Sequence, residues 1–574
     1  MLIEKDVSIE TSDGNLLRAN VYRPALEGSF PVLLAQGVYG KDVHFRDAFK
    51  MQWEKLLQLY PGLCSEGSTG RYLRWETVDP ERWVPEGYAV VQVDARGSGK
   101  SPGFLDPYSP REIADYYDAI EWAGRAPWSN GKVGLIGVSY FAITQWLVAA
   151  LRPPHLAAIV AWEGASDHYR DWSYHGGICS NSFVTAWWPR QVLANQHGNG
   201  ASAYRDPETG ERTTGPAVSE DMLLGNRADY PGEIARHPFA DAWHRERTPD
   251  LGRVEVPLLS AGNWGGPGVH LRGNIEGFLR SGSKQKWLSM HTGTHYESFY
   301  LPEYVAMQKR FFDHFLNGVD NGWDREPPVR LAIRHLPPPS SVGGSAVGEG
   351  GNMPSPKSIR TAHTFPLPET RWTRFHLDAS TLSLGAGNPA LESSVLYDAS
   401  SATVSFTTAA FEEDCEFTGF VTLRLWVSSS TTDLDIFATL RAFDRESREV
   451  IFTGAHEPVP VARGWLRASH RKLDSQLSSV HRAYHAHDQA QKLTPAEVVP
   501  LDVEIWPTSI VFPKGCRMVL TIGGRDLEVE GVPGRILHNH AANTGAAEFG
   551  GTTRLYTGGA RESYILLPVI PPGT

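Results

Sequence analysis

The sequence predicts an α/β core built on a mostly parallel sheet, followed by an all-β C-terminal region. Three observations predict it. Short, wholly apolar runs of the kind a sheet buries on both faces recur through the first half of the chain, as in Pro31-Val-Leu-Leu-Ala35 and Tyr88-Ala-Val-Val-Gln-Val93. A helix-periodic segment stands between two of them, which implies a crossover and parallel pairing. From about Arg325 the apolar runs shorten and alternate with turn residues, the pattern of a β-sandwich.

Taken in order, Val7–Ile9 and Leu16–Tyr22 flank Ser12-Asp13-Gly14 and read as a hairpin. The runs at Pro31–Ala35, Tyr88–Val93 and Lys132–Val138 read as core strands. Pro110 to Trp122 reads as a helix, with Ile113, Tyr116, Tyr117 and Ile120 on one face and Glu112, Asp115 and Asp118 elsewhere. Leu156–Ala161, Val256–Ser260 and Lys284–Met290 complete the core strands, and a helix follows around Tyr304–Leu316. Between Asp167 and Asp250 the rhythm breaks into a stretch rich in Trp, His, Gly and Asn, which reads as an insertion on the sheet. Beyond Arg325, loops at Pro337-Pro-Pro339, Gly343-Gly344 and Gly348 to Gly351 lead to strands at Phe420–Val427, Leu434–Leu440 and Arg517–Ile522. No internal repeat is present.

At 574 residues the chain is too long for one ordinary core and should divide into two or three domains. The divisions expected are 1–165 with 251–324 for the core, 166–250 for the insertion, and 325–574 for the β region. A net charge of -11 offers no general attraction for nucleic acid or anionic membrane. The N-terminus meets acidic residues before any apolar run, unlike a secretory signal, and no stretch is long enough to span a bilayer. Cys64, Cys179, Cys415 and Cys516 lie far apart without CxxC spacing, so neither a disulfide framework nor a zinc site is expected. A cytoplasmic location is the corresponding expectation. The histidines and carboxylates show no metal-ligand spacing, and no cofactor is expected.

Gly137-Val-Ser139-Tyr-Phe-Ala142 follows an apolar strand and opens a helical pattern, which is the context of a nucleophile elbow. The turn is tight, so the serine needs small neighbours, and Gly137 is one. Phe141 stands where a second glycine is usual. A serine before a helix also serves as an ordinary cap, but the strand–turn–helix setting favours the nucleophile. Gly97, Gly99 and Gly103 lack GxGxxG spacing and carry no nucleotide role, while Asp94 and Arg96 read as braces around the elbow.

The segments GVSYFA (Gly137 to Ala142), VDARGSGKSPG (Val93 to Gly103), APWSNGKVGLIG (Ala126 to Gly137), RWTRFHLD (Arg371 to Asp378) and GWLRASHRKLD (Gly464 to Asp474) occur together. In these the sequence resembles the cocaine esterase/X-Pro dipeptidyl peptidase hydrolases over most of its length. The resemblance implies an α/β-hydrolase core with an inserted helical cap and a C-terminal, jelly-roll-like β-sandwich. It also implies a catalytic triad. His295, just after the last core strand, matches the family's histidine and is preferred over His291 as the base that activates Ser139.

The family's acid, an Asp in a segment like GWYD, is missing: Gly262-Asn-Trp-Gly265 has Gly265 in its place. Glu163, at the end of the strand after the nucleophile strand, is the candidate acid and keeps the order Ser…acid…His; Asn263, Glu276 and Glu297 are its rivals. Two oxyanion donors are expected: the backbone N–H of Tyr140, next to the nucleophile, and, as the resemblance implies, the hydroxyl of Tyr39 after the first long core strand. Trp172, Trp187 and Trp188 read either as a substrate pocket or as cap packing.

The function expected is a serine hydrolase that cleaves carboxylic esters through an acyl-enzyme on Ser139, with X-Pro dipeptidyl peptidase or amidase activity as the alternative. A catalytically dead carbohydrate-binding or scaffold protein is the alternative from another class, resting on Phe141 and Gly265. The expected partner is a small-molecule ester or amide, with self-association into a homo-oligomer left open.

Overall fold

A computed structural model describes residues 1–336, 357–455, 458–527, 537–538 and 547–573; the loops expected at Pro337–Pro339, Gly343-Gly344 and Gly348–Gly351 lie outside the described residues. The core sheet contains β1 (Leu2–Glu10), β2 (Leu16–Arg23), β3 (Phe30–Gly37), β4 (Ala89–Asp94), β5 (Ser129–Val138), β6 (Leu156–Trp162), β7 (Leu258–Asn263), β8 (Lys286–His291) and β9 (Val329–His335). Its spatial order is β1-β2-β4-β3-β5-β6-β7-β8-β9. The β1/β2 hairpin is antiparallel and closes where Glu10 faces Leu16, and β2 runs antiparallel to β4. From β4 to β9 every pairing is parallel. The wholly apolar strand sequences follow from this, because helices cover a parallel sheet on both faces.

Those helices are α1 (Pro110–Arg125), α2 (Tyr140–Ala149), α3 (Leu271–Arg280) and α4 (Pro302–Asn317). Ser109 caps α1, its hydroxyl accepting from the Glu112 N–H, with Pro110 in the first turn. The buried apolar face of α1 carries Ile113, Tyr116 and Ile120. Glu112 and Asp115 are buried as well, which the amphipathic pattern did not anticipate. Each has a specific partner: the Tyr140 hydroxyl donates to Glu112, and Asp115 pairs with Arg96. The predicted α4 extends to Asn317, where Gly318 ends it in a left-handed conformation (φ 69°).

Between β6 and β7 the insertion forms short helical turns, among them Asn181–Trp187, Glu220–Gly225, Tyr230–Arg236 and Ala242–Glu246. The C-terminal region is antiparallel β-structure with its own apolar core: Cys415–Ser429 pairs with Val499–Phe512, and Asp435–Phe443 lies between Ala462–Arg467 and Arg517–Gly523. β9 joins the two regions. It pairs with β8 on one side, and its last residues pair with Ile510 and Val511. None of the four cysteines is in a disulfide. No helix among the described residues is long and apolar enough to cross a membrane.

Candidate active site

Ser139 stands between the carboxyl end of β5 and the first turn of α2, with φ 58° and ψ −114°. That conformation is strained for a residue with a Cβ, and the surroundings hold it. The Ser139 N–H donates to Trp162 O of β6, and its carbonyl accepts from the Ala142 and Ile143 N–H groups of α2. A Cβ on Gly137 would come 2.4 Å from the Phe141 Cβ, and one on Gly37 would come 2.5 Å from the Phe141 ring. The large residue at the usual second-glycine position is thus accommodated by glycine on two neighbouring strands, and the turn survives the departure.

Behind the serine lies a buried cluster of ionisable groups. The Ser139 Oγ is 3.3 Å from His270 Nε2. The His270 ring stacks on His295, with centroids 4.8 Å apart and planes at 11°. His295 Nδ1 is 2.8 Å from Glu163 Oε2, and its Nε2 is 2.9 Å from Glu76 Oε1. Glu163 and Glu76, like Ser139, hold positive φ values (47° and 63°). Burial works against charge on His295, but the two carboxylates outweigh it and push the imidazole up to about 10, so the ring is held as the cation. Burial pushes both carboxyls upward, and His295 draws each back toward the ionised form.

The sequence-predicted residues are therefore brought together, with one change of place. Glu163 meets His295 Nδ1 as the chain order suggested. His295 was expected on the Ser139 hydroxyl; instead its two ring nitrogens face carboxylates, and the ring nitrogen within range of Oγ belongs to His270. Sequence reasoning missed His270 and Glu76. The signal for His270 was its position five residues beyond Gly265, at the entrance to α3. Glu76 had no comparable signal, since it lies in the long connection between β3 and β4.

Among the rivals for the acid, Asn263 is part of the cluster in another role. Its amide donates to Glu163 Oε1 and to Gly293 O, and its carbonyl oxygen accepts from the Gly265 N–H. Glu276 pairs instead with Arg482, and Glu297 accepts from the Thr294 hydroxyl. His291 lies behind Glu163 Oε1 at 3.5 Å and stacks on Trp162; burial pushes it down to about 3, which keeps it neutral.

Gly265 has a physical reason to lack a side chain. A Cβ there would come 2.7 Å from Thr453 O and 2.8 Å from Gly454 Cα. The C-terminal region closes over this turn: the Ala455 N–H donates to Gly265 O, and the His295 N–H donates to Ala455 O. The turn at Gly265, where the resemblance led an acid to be expected, is sealed, and the carboxyl that meets His295 Nδ1 comes from Glu163 at the neighbouring strand end.

Both expected oxyanion donors are firmly held. The Tyr140 hydroxyl donates to Glu112 Oε1 at 2.6 Å, which fixes the first residue of α2. Burial raises the Glu112 carboxyl to about 8, against the hydrogen bonds from the Tyr140 hydroxyl and the Tyr108 N–H, which lower it. Tyr39 packs edge-on against Tyr140 and Phe141. The Trp187 indole N–H donates to the Tyr39 oxygen at 2.9 Å, so the phenol proton is free to be offered elsewhere. Burial raises the Tyr39 phenol well above its ordinary range and keeps it a neutral donor. Trp172 donates to the Tyr230 hydroxyl at 3.0 Å and packs edge-on against Trp187, so this part of the tryptophan set supports the insertion and Tyr39 together. Asp94 accepts from the Lys41 and Lys100 N–H groups, and Arg96 pairs with Asp115, bracing the loops beside the elbow.

Residues 13–297 match the X-Pro dipeptidyl-peptidase (S15) family, and residues 321–566 match the X-Pro dipeptidyl-peptidase C-terminal non-catalytic domain. A solved CocE/NonD family hydrolase from Staphylococcus aureus is 32% identical, superposes with a TM-score of 0.82, and is matched over 99% of this chain and 93% of its own. This chain is a member of that family. A cocaine esterase from Rhodococcus is 25% identical, over 76% of this chain and 80% of its own length. An α-amino acid ester hydrolase at 16% identity and a TM-score of 0.66, covering 99% of this chain and 96% of that one, shares the fold. The family's members are serine esterases and peptidases, and this member is accordingly a hydrolase of the serine type.

Proposed function

We propose that this family member cleaves carboxylic esters through an acyl-enzyme on Ser139. The observation that carries the reading is the strained turn that sets the Ser139 Oγ against an imidazole nitrogen, 3.3 Å away. A hydroxyl becomes a competent nucleophile when a base takes its proton as it attacks. Oγ bonds to the carbonyl carbon, and its proton passes to the imidazole that faces it. The carbonyl oxygen then carries the negative charge, and the Tyr39 hydroxyl and the Tyr140 backbone N–H are the donors aimed at it. Collapse of this intermediate expels the alkoxide, which takes the proton back. Water repeats the sequence and releases the acid. His295 with Glu163 at its Nδ1 supplies fixed charge behind the reacting imidazole.

Peptide cleavage is the second reading, because the same machinery acts on amides and the family takes its name from X-Pro peptidases. The test compares kcat/KM for p-nitrophenyl esters of short acids with that for an X-Pro p-nitroanilide, in wild type and Ser139→Ala. The ester reading expects the larger value on the esters, and a loss on the order of 10⁶-fold in kcat without the serine hydroxyl. A larger value on the anilide reverses the order of the two readings. Full ester turnover by the folded variant removes Ser139 from the mechanism.

A further inference from the structure

We infer that His270 is the general base toward Ser139, and that His295 is a fixed cation behind it. The inference rests on the serine reading above and changes which ring moves the proton.

The geometry separates the two histidines. His270 Nε2 is the imidazole nitrogen placed on the nucleophile. His295 is committed on both sides, with Glu163 at Nδ1 and Glu76 at Nε2. An imidazole whose two N–H groups both point at carboxylates has no lone pair to accept the serine proton. A base must be neutral before it acts, and a cation between two acids is not. His270 and His295 are both buried, at 0% and 2% exposure, so bulk water cannot mask the charge that forms on the accepting ring.

The arrangement also supports a second imidazolium. Glu163 and Glu76 flank His295, one carboxyl at each ring nitrogen. When His270 takes the serine proton its ring becomes cationic, face to face with His295 at 4.8 Å. The carboxyls at the two His295 nitrogens are the acidic groups nearest this pair of rings that act against the repulsion between them. In the reaction, the Oγ–H bond breaks as Oγ bonds to the carbonyl carbon, and the proton rests on His270 Nε2. It leaves with the departing alkoxide when the carbon–oxygen bond breaks. Glu163 and Glu76 act through His295 and are positioning residues in this scheme.

The backbone supports the same assignment. The His270 N–H donates to Gly266 O, and its ring sits at the entrance to α3. Arg272, two residues on, is buried between Asp171 of the insertion (2.8 Å) and Glu504 of the C-terminal region (2.9 Å). The helix start that carries His270 is therefore tied to all three parts of the chain.

The test measures the acylation burst with p-nitrophenyl acetate in wild type, His270→Gln, His270→Ala and Ser139→Ala. His270→Gln should slow acylation by about 10²–10⁴-fold, the usual contribution of a positioned base. Added imidazole should restore part of the rate to His270→Ala and none to Ser139→Ala. A burst in His270→Gln within a few-fold of wild type overturns the inference. A crystal structure of the wild type phosphonylated on Ser139 needs no variant to fold. His270 Nε2 is expected against the adduct's ester oxygen, and His295 Nε2 in that place overturns the inference. If Ser139→Ala keeps its burst, the serine reading itself has failed and the base assignment falls with it.

Discussion

Tyr39 and Glu163 show how single side chains are prepared for charge that appears only during reaction. The Trp187 indole occupies one side of the Tyr39 oxygen, which orients the phenol proton before substrate arrives. Tyr39→Phe should lower kcat by roughly 10²–10³-fold, the loss that follows removal of one oxyanion donor. KM should change far less, because the hydroxyl acts on developing charge; steady-state kinetics on one ester separates the two effects. Glu163 is wholly buried and holds His295 from one side while Asn263 holds the carboxylate. Glu163→Gln should lower kcat by up to about 10²-fold, the cost of misplacing a group that supports the reacting imidazole without touching the substrate. The check is kcat of the folded variant, and full activity would contradict its role. Ser139 and Glu163 were legible because each follows an apolar strand in an order the fold permits. Glu76 was not, since a lone carboxylate in a long connection looks like any solvated residue until the chain folds over it.

The turns at the carboxyl ends of β5 and β7 carry two unusual residues, Phe141 in the nucleophile elbow and Gly265 at the expected acid position, and both have the same kind of cause. Phe141 fits the elbow because Gly37 and Gly137 leave room on adjacent strands; the sequence displayed both glycines, but only strand order reveals that they face one ring. Gly265 is kept bare by Thr453 and Gly454, more than 180 residues away in sequence, so no local pattern could predict it. Gly265→Asp should not rescue Glu163→Gln. It should lower stability by about 1–3 kcal/mol, as overpacking does, because a backbone carbonyl occupies the space. Denaturant melts of the single variant measure this, and a stable, active Gly265→Asp/Glu163→Gln protein would contradict it. The strands and the helices α1 and α4 were readable from apolar runs and period. The buried acids of α1 were not, because their partners Tyr140 and Arg96 come from other elements.

Across the whole molecule, the site is assembled from the core, the insertion and the C-terminal region. The core supplies Ser139, Glu163, His270 and His295, the insertion supplies Trp187 against Tyr39, and the C-terminal region seals Gly265 and accepts the His295 backbone N–H in a hydrogen bond at Ala455. Stability should then depend on the charge of the buried cluster. The His295 imidazole rises from an ordinary 6.5 to about 10 in the folded chain, so folding favours its protonated form. That contribution is complete below about pH 6.5 and is lost as pH rises through about 10. The Tm of the wild type should fall across that window, and fall less in Glu163→Gln, where one carboxylate no longer holds the ring. Equal pH dependence in the two proteins would contradict the clamp.

The central claim is that Ser139 is the nucleophile, and covalent labelling tests it most directly. The full chain is treated with a fluorophosphonate, digested, and its peptides are weighed and sequenced by mass spectrometry. The account predicts one adduct, on the Ser139 hydroxyl, with ester turnover lost in proportion to labelling and no adduct in Ser139→Ala. An adduct on another residue, or undiminished turnover by protein fully labelled at Ser139, would contradict it.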